Sequence, residues 1–317
     1  MRKPYGTQYP SNYMTTKYLT PLFLLLATPI AFADFSVKET TGKHIDVLDS
    51  DGKTVARVMT DGDVSTDELR HNNYKVYTHV FDQEGKEPIT KGAGGQFTHH
   101  RGIFLGWSKT KFDGKGIDSW HMKGCVQAYQ KIVAQETSKD SAKLNVLIHW
   151  QTDDGKVFIE EQRTQMFTKI KGDEGTYLQV DVHSELTAPI ADVELNGDPE
   201  HAGCQFRPSQ AVAKNKSAKY LFHAEGINPK KVKDLPWVAE SFQIGDKKYF
   251  AQHISAPSIP KGNTYSAYRD YGRFGAYFVA TVKKGKTLKL DYRINVGEGE
   301  LPAREAFAKR YDSFVKG

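Results

Sequence analysis

The segment Phe97-Thr98-His99-His100-Arg101-Gly102 sets two adjacent histidines and an arginine directly before an apolar run, Ile103-Phe104-Leu105-Gly106-Trp107. Imidazole changes charge near neutral pH and its neutral form ligates metals, so histidines beside arginine point to proton transfer, metal binding or anion recognition. Asp118-Ser119-Trp120-His121 adds a further histidine next to a tryptophan. Glu200-His201-Ala202-Gly203-Cys204-Gln205-Phe206-Arg207 repeats the chemistry about a hundred positions on, and Tyr268-Arg269-Asp270-Tyr271-Gly272-Arg273-Phe274-Gly275 adds arginines and tyrosines. Such distant segments share a function only if the fold brings them together.

The elements that could do so are strands. Leu288-Lys289-Leu290-Asp291-Tyr292-Arg293-Ile294-Asn295-Val296 alternates apolar and polar residues, the period of a half-buried strand, and Leu144–Trp150 and Leu178–His183 read likewise. Asp51-Gly52, Asp154-Gly155, Gly172 to Gly175, Gly245-Asp246 and Gly285 supply turns between such runs. No stretch before residue 300 keeps a helical period over ten residues, which argues against a parallel doubly wound fold. After Leu301-Pro302, Phe307, Tyr311, Phe314 and Val315 recur at helical spacing, with proline in the first turn. The expected architecture is all-β: a large antiparallel twisted β-sandwich of the mutarotase or supersandwich kind, with a short C-terminal helix.

Extended backbone limits which side chains act together. If residues 99–107 are a strand, His99 and Arg101 share a face and His100 points the other way. His201, Gln205 and Arg207 share parity, as do Arg269, Tyr271 and Arg273, and facing arginines are natural receptors for a carboxylate or sulfate. Trp107, Trp120 and Tyr271 have polar neighbours, which suggests a groove rather than the core. The candidate catalytic residues are therefore His99, His100, His121, His201 and Tyr271. The candidate substrate-binding residues are Arg101, Trp107, Trp120, Glu200, Gln205, Arg207, Arg269 and Arg273.

Lys17, the apolar run Leu22–Ala27 and Ala31-Phe32-Ala33 before Asp34 have the pattern of a secretory signal. Residues 1–33 read as that signal, with Met14 an alternative start, residues 34–317 as one domain, and the destination as periplasmic or secreted. Removing 1–33 deletes Arg2, Lys3 and Lys17 and no acids, so the formal charge falls from +6 to +3. A charge this mild does not read as a nucleic-acid footprint. The run Leu22–Ala27 is too short to span a bilayer. The two cysteines, Cys125 and Cys204, could pair in an oxidising compartment or stay buried thiols, and both readings are open.

Taken together, Thr98–Gly102, Gly116-Ile117-Asp118-Ser119-Trp120, Glu200–Arg207, Tyr268–Gly275 and Gly297-Glu298-Gly299-Glu300-Leu301-Pro302 resemble the bacterial PmoA-like proteins over nearly all of residues 34–317. That resemblance implies a secreted protein encoded among carbohydrate-degrading functions. It does not imply a methane oxygenase subunit, an integral membrane protein.

The expected function is a secreted carbohydrate-active enzyme, a lyase or hydrolase acting on an oligosaccharide, including one with an acidic uronate sugar. A histidine or Tyr271 would move the proton while arginines neutralise the carboxylate. No cofactor is required by the sequence. A divalent metal held by His99 or His100, His121 and His201, with Glu200 nearby, is an open alternative, although no tight ligand spacing marks it. A retaining glycosidase would have to draw its carboxylates from Asp118, Glu200 and Asp270. The alternative reading is a non-catalytic glycan-binding protein of the periplasm, which would not need the histidines.

Overall fold

The computed structural model describes Gly6 and residues 34–316. The segment read as a signal, apart from Gly6, lies outside the described residues. Two antiparallel eight-stranded sheets and a four-stranded one account for the strands, in agreement with the all-β expectation. The first sheet runs Ser36–Thr40, His44–Leu48, Thr54–Met59, Tyr77–Val80, Ile103–Trp107, Ala202–Phe206, Phe274–Tyr277 and Thr264–Tyr265. The second runs Lys219–Phe222, Trp237–Ile244, Lys247–Ser255, Thr287–Glu298, Thr176–Thr187, Val157–Asp173, Ser141–Thr152 and Cys125–Thr137. The alternating segments of the sequence lie in its long strands. Thr176–Thr187, for example, buries every second residue along its whole length.

The two large sheets share one core. Ile45, Val47, Val58, Ile103, Leu105, Trp107, Cys204, Phe206 and Phe274 from the first pack with Leu144, Val146, Trp150, Val180, Val182, Leu290, Tyr292 and Ile294 from the second. Trp107 shares strand parity with Ile103 and Leu105, so it faces this core, against Trp150 and Phe278, and donates Nε1–H to the Phe278 carbonyl. It is a core residue rather than a groove residue. The Cys125 and Cys204 side chains are free thiols, both buried, and burial pushes each up to about 12. The bridge between them is not formed.

The C-terminal helix spans Arg304–Lys316, so Pro302 precedes it rather than sitting in its first turn. Phe307, Tyr311 and Phe314 pack against Trp237, Ala239, Phe250 and Ile254 on the side of the second sheet away from the main core. Val315 points outward and is exposed. Among the described residues no helix is long and apolar enough to cross a membrane.

The first sheet's other face carries the site. Cross-strand pairing places Tyr77, Phe104, Gln205 and Gly275 in one row there. Trp120 covers Phe104, with ring centroids 4.7 Å apart. Next in the strand, Gly106 lets the covering turn approach: a Cβ at this position would lie 2.5 Å from the Ser119 carbonyl oxygen. Turns at 97–101, 118–123, 198–201 and 269–272 roof this face; three of them lead into strands of the sheet, and 118–123 is tied to it by Ser119 N–H donating to the Trp107 carbonyl.

Candidate functional site

The turns, not strands, present the chemistry. Residues 97–101 form a turn closed by His100 N–H donating to the Phe97 carbonyl at 2.9 Å, and the strand begins only at Ile103. His99 and His100 therefore both face the site, their ring centroids 4.4 Å apart, instead of pointing to opposite sides. Likewise Gly272 N–H donates to the Arg269 carbonyl in a turn before the strand Phe274–Tyr277, so Arg269, Tyr271 and Arg273 are not neighbours on one strand face.

His99, His121 and His201 converge. One ring nitrogen from each lies within 4.8 Å of the other two, and the ring centroids are 4.3 Å apart for His99 and His121 and 5.4 Å for His121 and His201. Two of the three rings are oriented by carboxylates. Asp118 Oδ2 is 2.7 Å from His121 Nδ1, while Oδ1 accepts from the backbone N–H groups of Trp120 and His121. Asp198 holds His201 Nδ1 at 2.9 Å, and His201 N–H closes a turn onto the Asp198 carbonyl. An Nδ1–H bound to a carboxylate fixes the tautomer and leaves Nε2 as a lone-pair donor. For Asp118 burial acts the other way, but the bonds from His121 and the backbone hold its carboxyl below the usual range. His99 Nε2 is buried without a hydrogen-bond partner. Burial, then the neighbouring His121, Lys75, His201 and Arg273, hold the His99 imidazole down to about 2, so it is neutral and a competent ligand.

Lys75 ties this assembly together from beneath. Its Nζ donates to the carbonyls of Trp120 at 2.6 Å and His99 at 3.0 Å and lies 4.0 Å from the Phe104 ring centroid. Burial drives its ammonium well below the ordinary lysine range. Arg101, expected to bind substrate, is fully buried and donates through Nη1 and Nη2 to the carbonyls of Thr98, His100 and His71, so it clamps the turn rather than reaching a ligand.

Beyond His100 lies a second set of polar groups. Arg207 and Arg273 are fully buried. Arg207 Nη1 donates to the carbonyls of Pro208 and Tyr271, and its guanidinium lies 5.0 Å from the Tyr271 ring. Arg273 Nη1 donates to Ser266 Oγ at 2.9 Å and Gln205 Oε1 at 3.3 Å, and its guanidinium lies 5.9 Å from Trp120. Gln205 is itself held by the Ala202 carbonyl, so it positions Arg273 rather than facing a ligand. Glu200 accepts from Tyr268 and, through both oxygens, from the half-exposed Arg269. Tyr271 stacks under Phe97, with ring centroids 4.7 Å apart, and lies 6.0 Å from His100. A cleft of about 540 Å³ lined by Asp118, Lys123, Ser108 and Asn196 opens beside the histidines.

Sequence reasoning missed Asp198, Lys75 and Glu240. Asp198 had a signal: Asp118-x-x-His121 recurs as Asp198-x-x-His201, the spacing that lets a turn fold a carboxylate onto the following imidazole. Lys75, in the bend before the strand Tyr77–Val80, and Glu240, in the strand Trp237–Ile244, come from remote segments and carry no local mark.

Among solved structures the chain is similar to a heparan sulfate lyase from Pedobacter heparinus, at 9% identity and a TM-score of 0.38, covering 86% of this chain and 36% of that one. It is also similar to a Glycoside Hydrolase Family 97 enzyme from Pseudoalteromonas sp. strain K8, at 14% identity and a TM-score of 0.44, covering 80% and 35%. The chain thus spans about a third of the length of these proteins, and likenesses at these scores assign no activity. No curated protein matches it. The PmoA-like resemblance is corrected by the profile that does match, over residues 47–312. The chain belongs to the Family of unknown function (DUF6807).

Proposed function

We propose that the protein is a metal-dependent carbohydrate-active enzyme, with a divalent cation held by His99, His121 and His201. The observation that carries this reading is the convergence of three ring nitrogens within 4.8 Å, two of the rings being oriented by Asp118 and Asp198. Three histidines, two of them backed by carboxylates, form the donor set of a zinc-type site with a position left for water or substrate. The separation is wider than the roughly 3.4 Å between ligands of a tetrahedral zinc, so binding would draw the rings inward. A cation there would polarise a substrate oxygen or a water molecule.

The protein's own groups supply the rest. Tyr271 presents a phenol at the mouth of the site and His100 an imidazole behind it, and these are the proton carriers. The half-exposed faces of Phe97, Tyr271 and Tyr268 suit the apolar C–H patches of a sugar. The arginines beside them favour a lyase or hydrolase acting on an oligosaccharide with an acidic residue. The sequence pattern of residues 1–33 supports secretion or a periplasmic location for such an enzyme.

The non-catalytic alternative, a glycan-binding protein, leaves the carboxylate-backed histidines without a role. The two readings separate in a screen of purified protein against acidic and neutral oligosaccharides, with and without chelator. Turnover that chelator abolishes and zinc restores is expected, and ultraviolet absorbance of an unsaturated product distinguishes a lyase. Binding with no turnover, unchanged by chelator, would overturn the enzyme reading.

A further inference from the structure

Five of this protein's arginines take a carboxylate on the guanidinium edge formed by Nε and Nη2. Arg57 holds Asp46 this way, Arg163 holds Glu161, Arg269 holds Glu200, Arg293 holds Asp181 and Arg310 holds Asp173. In Arg207 and Arg273 the same edge is buried, and neither Nε nor Nη2 has a hydrogen-bond partner. The nearest acid to Arg273 is Glu200, whose Oε2 stands 3.6 Å from Nη2, beyond hydrogen-bond reach and already held by Arg269. Glu240 lies nearest Arg207 in charge terms, but both its oxygens are unpartnered. Burial raises the Glu240 carboxyl well above its usual range, and neither of its oxygens accepts from the guanidinium.

Two further polar atoms in the same place lack partners: Trp120 Nε1, a donor only, and His100 Nδ1. The His100 ring lies 6.1 Å from Trp120 and 6.0 Å from Tyr271, with Arg273 over the first and Arg207 over the second. Two guanidinium edges and an indole N–H left buried and unsatisfied destabilise the fold unless something accepts from them. A group that accepts from all of these donors has several lone pairs and negative charge.

We propose that Arg207, Arg273 and Trp120 form a receptor for the carboxylate of a sugar acid, one ring away from the histidine trio. This deepens the functional reading above by naming the substrate class, and rests on it for the sugar but not for the anion. A carboxylate offers about four lone-pair sites in a plane, the complement of two bidentate guanidinium edges. Phe97, itself exposed, lies against both Tyr271 and His100, so it is the side chain a ligand would have to displace. The His100 ring, which neighbours Trp120 and Tyr271, lies 4.4 Å from the His99 ring, so the receptor adjoins the histidine trio.

The test is calorimetric titration of the chelator-treated full chain with D-glucuronate and D-galacturonate, their uncharged amides, D-glucose and glucose 6-sulfate. At least one uronate should bind, and its amide, glucose and the sulfate ester should each bind about tenfold more weakly or worse. Arg207→Lys and Arg273→Lys, which keep the charge and lose the paired edge, should weaken uronate binding by a similar factor. An amide binding as well as its uronate, or no uronate binding, would overturn the proposal. Tighter binding of the sulfate ester would overturn the carboxylate assignment. The amide comparison uses only the wild-type chain, so it stands even if a lysine variant does not fold. Because the protein is metal-free in this experiment, uronate binding survives a failure of the cation reading, and zinc uptake measured separately reports on that reading alone.

Discussion

Glu161 with Arg163, and Arg207 with Arg273 and Glu240, are two clusters of buried charge in the same sandwich, and they are satisfied in opposite ways. Glu161 accepts from Arg163 Nε and Nη2, Trp150 Nε1 and Ser184 Oγ, and Arg163 Nη1 donates to the Val76 carbonyl. Every strong donor there has an acceptor inside the protein. Around Arg207 and Arg273 the edges that would take a carboxylate have no hydrogen-bond partner, and neither oxygen of the buried Glu240 has one either. The first cluster is complete as folded, and the second becomes complete only with a ligand. Burial alone does not distinguish a structural charge from a functional one. Counting partners does.

That difference predicts unequal responses to mutation. Arg163→Ala strands the Glu161 carboxylate and should cost about 3–5 kcal/mol in denaturant unfolding. Arg273→Met removes a guanidinium whose Nε and Nη2 make no hydrogen bond and whose only near acid, Glu200 at 3.6 Å, is already held by Arg269, so stability should stay within ~1 kcal/mol of wild type or rise. Equal losses in the two variants would erase the comparison.

A smaller, distributed effect should appear in acid. Burial holds His79 down to about 4 and His253 to about 3, against 6.5 for the ordinary side chain. Below pH 6.5 the unfolded chain takes up protons at these positions and the folded chain does not, so their stability contribution is complete above that pH and is lost as pH falls toward the folded values. At pH 5 each should remove about 2 kcal/mol, read as a falling midpoint in urea titrations between pH 7 and 4.5. A midpoint independent of pH across that interval would contradict the neutral burial of these imidazoles.

Tyr271→Phe sharpens the account within the site. It removes one hydroxyl and little volume, and the ring's contacts with Phe97 and Arg207 do not need the hydroxyl. Turnover should fall by ~10²-fold with little change in substrate affinity if the phenol carries the proton. Wild-type turnover would leave His100 as the proton carrier.

The sheets were legible in the sequence because strand periodicity is local, and Thr287–Glu298, Ser141–Thr152 and Thr176–Thr187 lie over the alternating runs. Trp107 was read as a groove residue from its polar neighbours, whereas it packs in the core on the side of Ile103 and Leu105, with which it shares strand parity. The histidine segments were legible as chemistry but not as geometry. Parity fails at His99 and Arg101 because they precede the strand, in a turn where Phe97 has φ +54°, a conformation that no alternation pattern encodes. The repeated Asp-x-x-His spacing was available and local. Glu240 and Lys75 could not be found this way, since one lies in a strand and the other in a bend that meet the site only in the folded protein.

The most direct test of the central claim is zinc titration of the metal-free wild-type chain beside His201→Ala, with circular dichroism to check that both are folded. Binding of one equivalent by the wild type, lost or weakened by at least ~10²-fold in the variant, is the predicted result. A wild-type chain that takes up no zinc, cobalt or manganese, or a variant that binds zinc as tightly as the wild type, would contradict a cation centre at His99, His121 and His201.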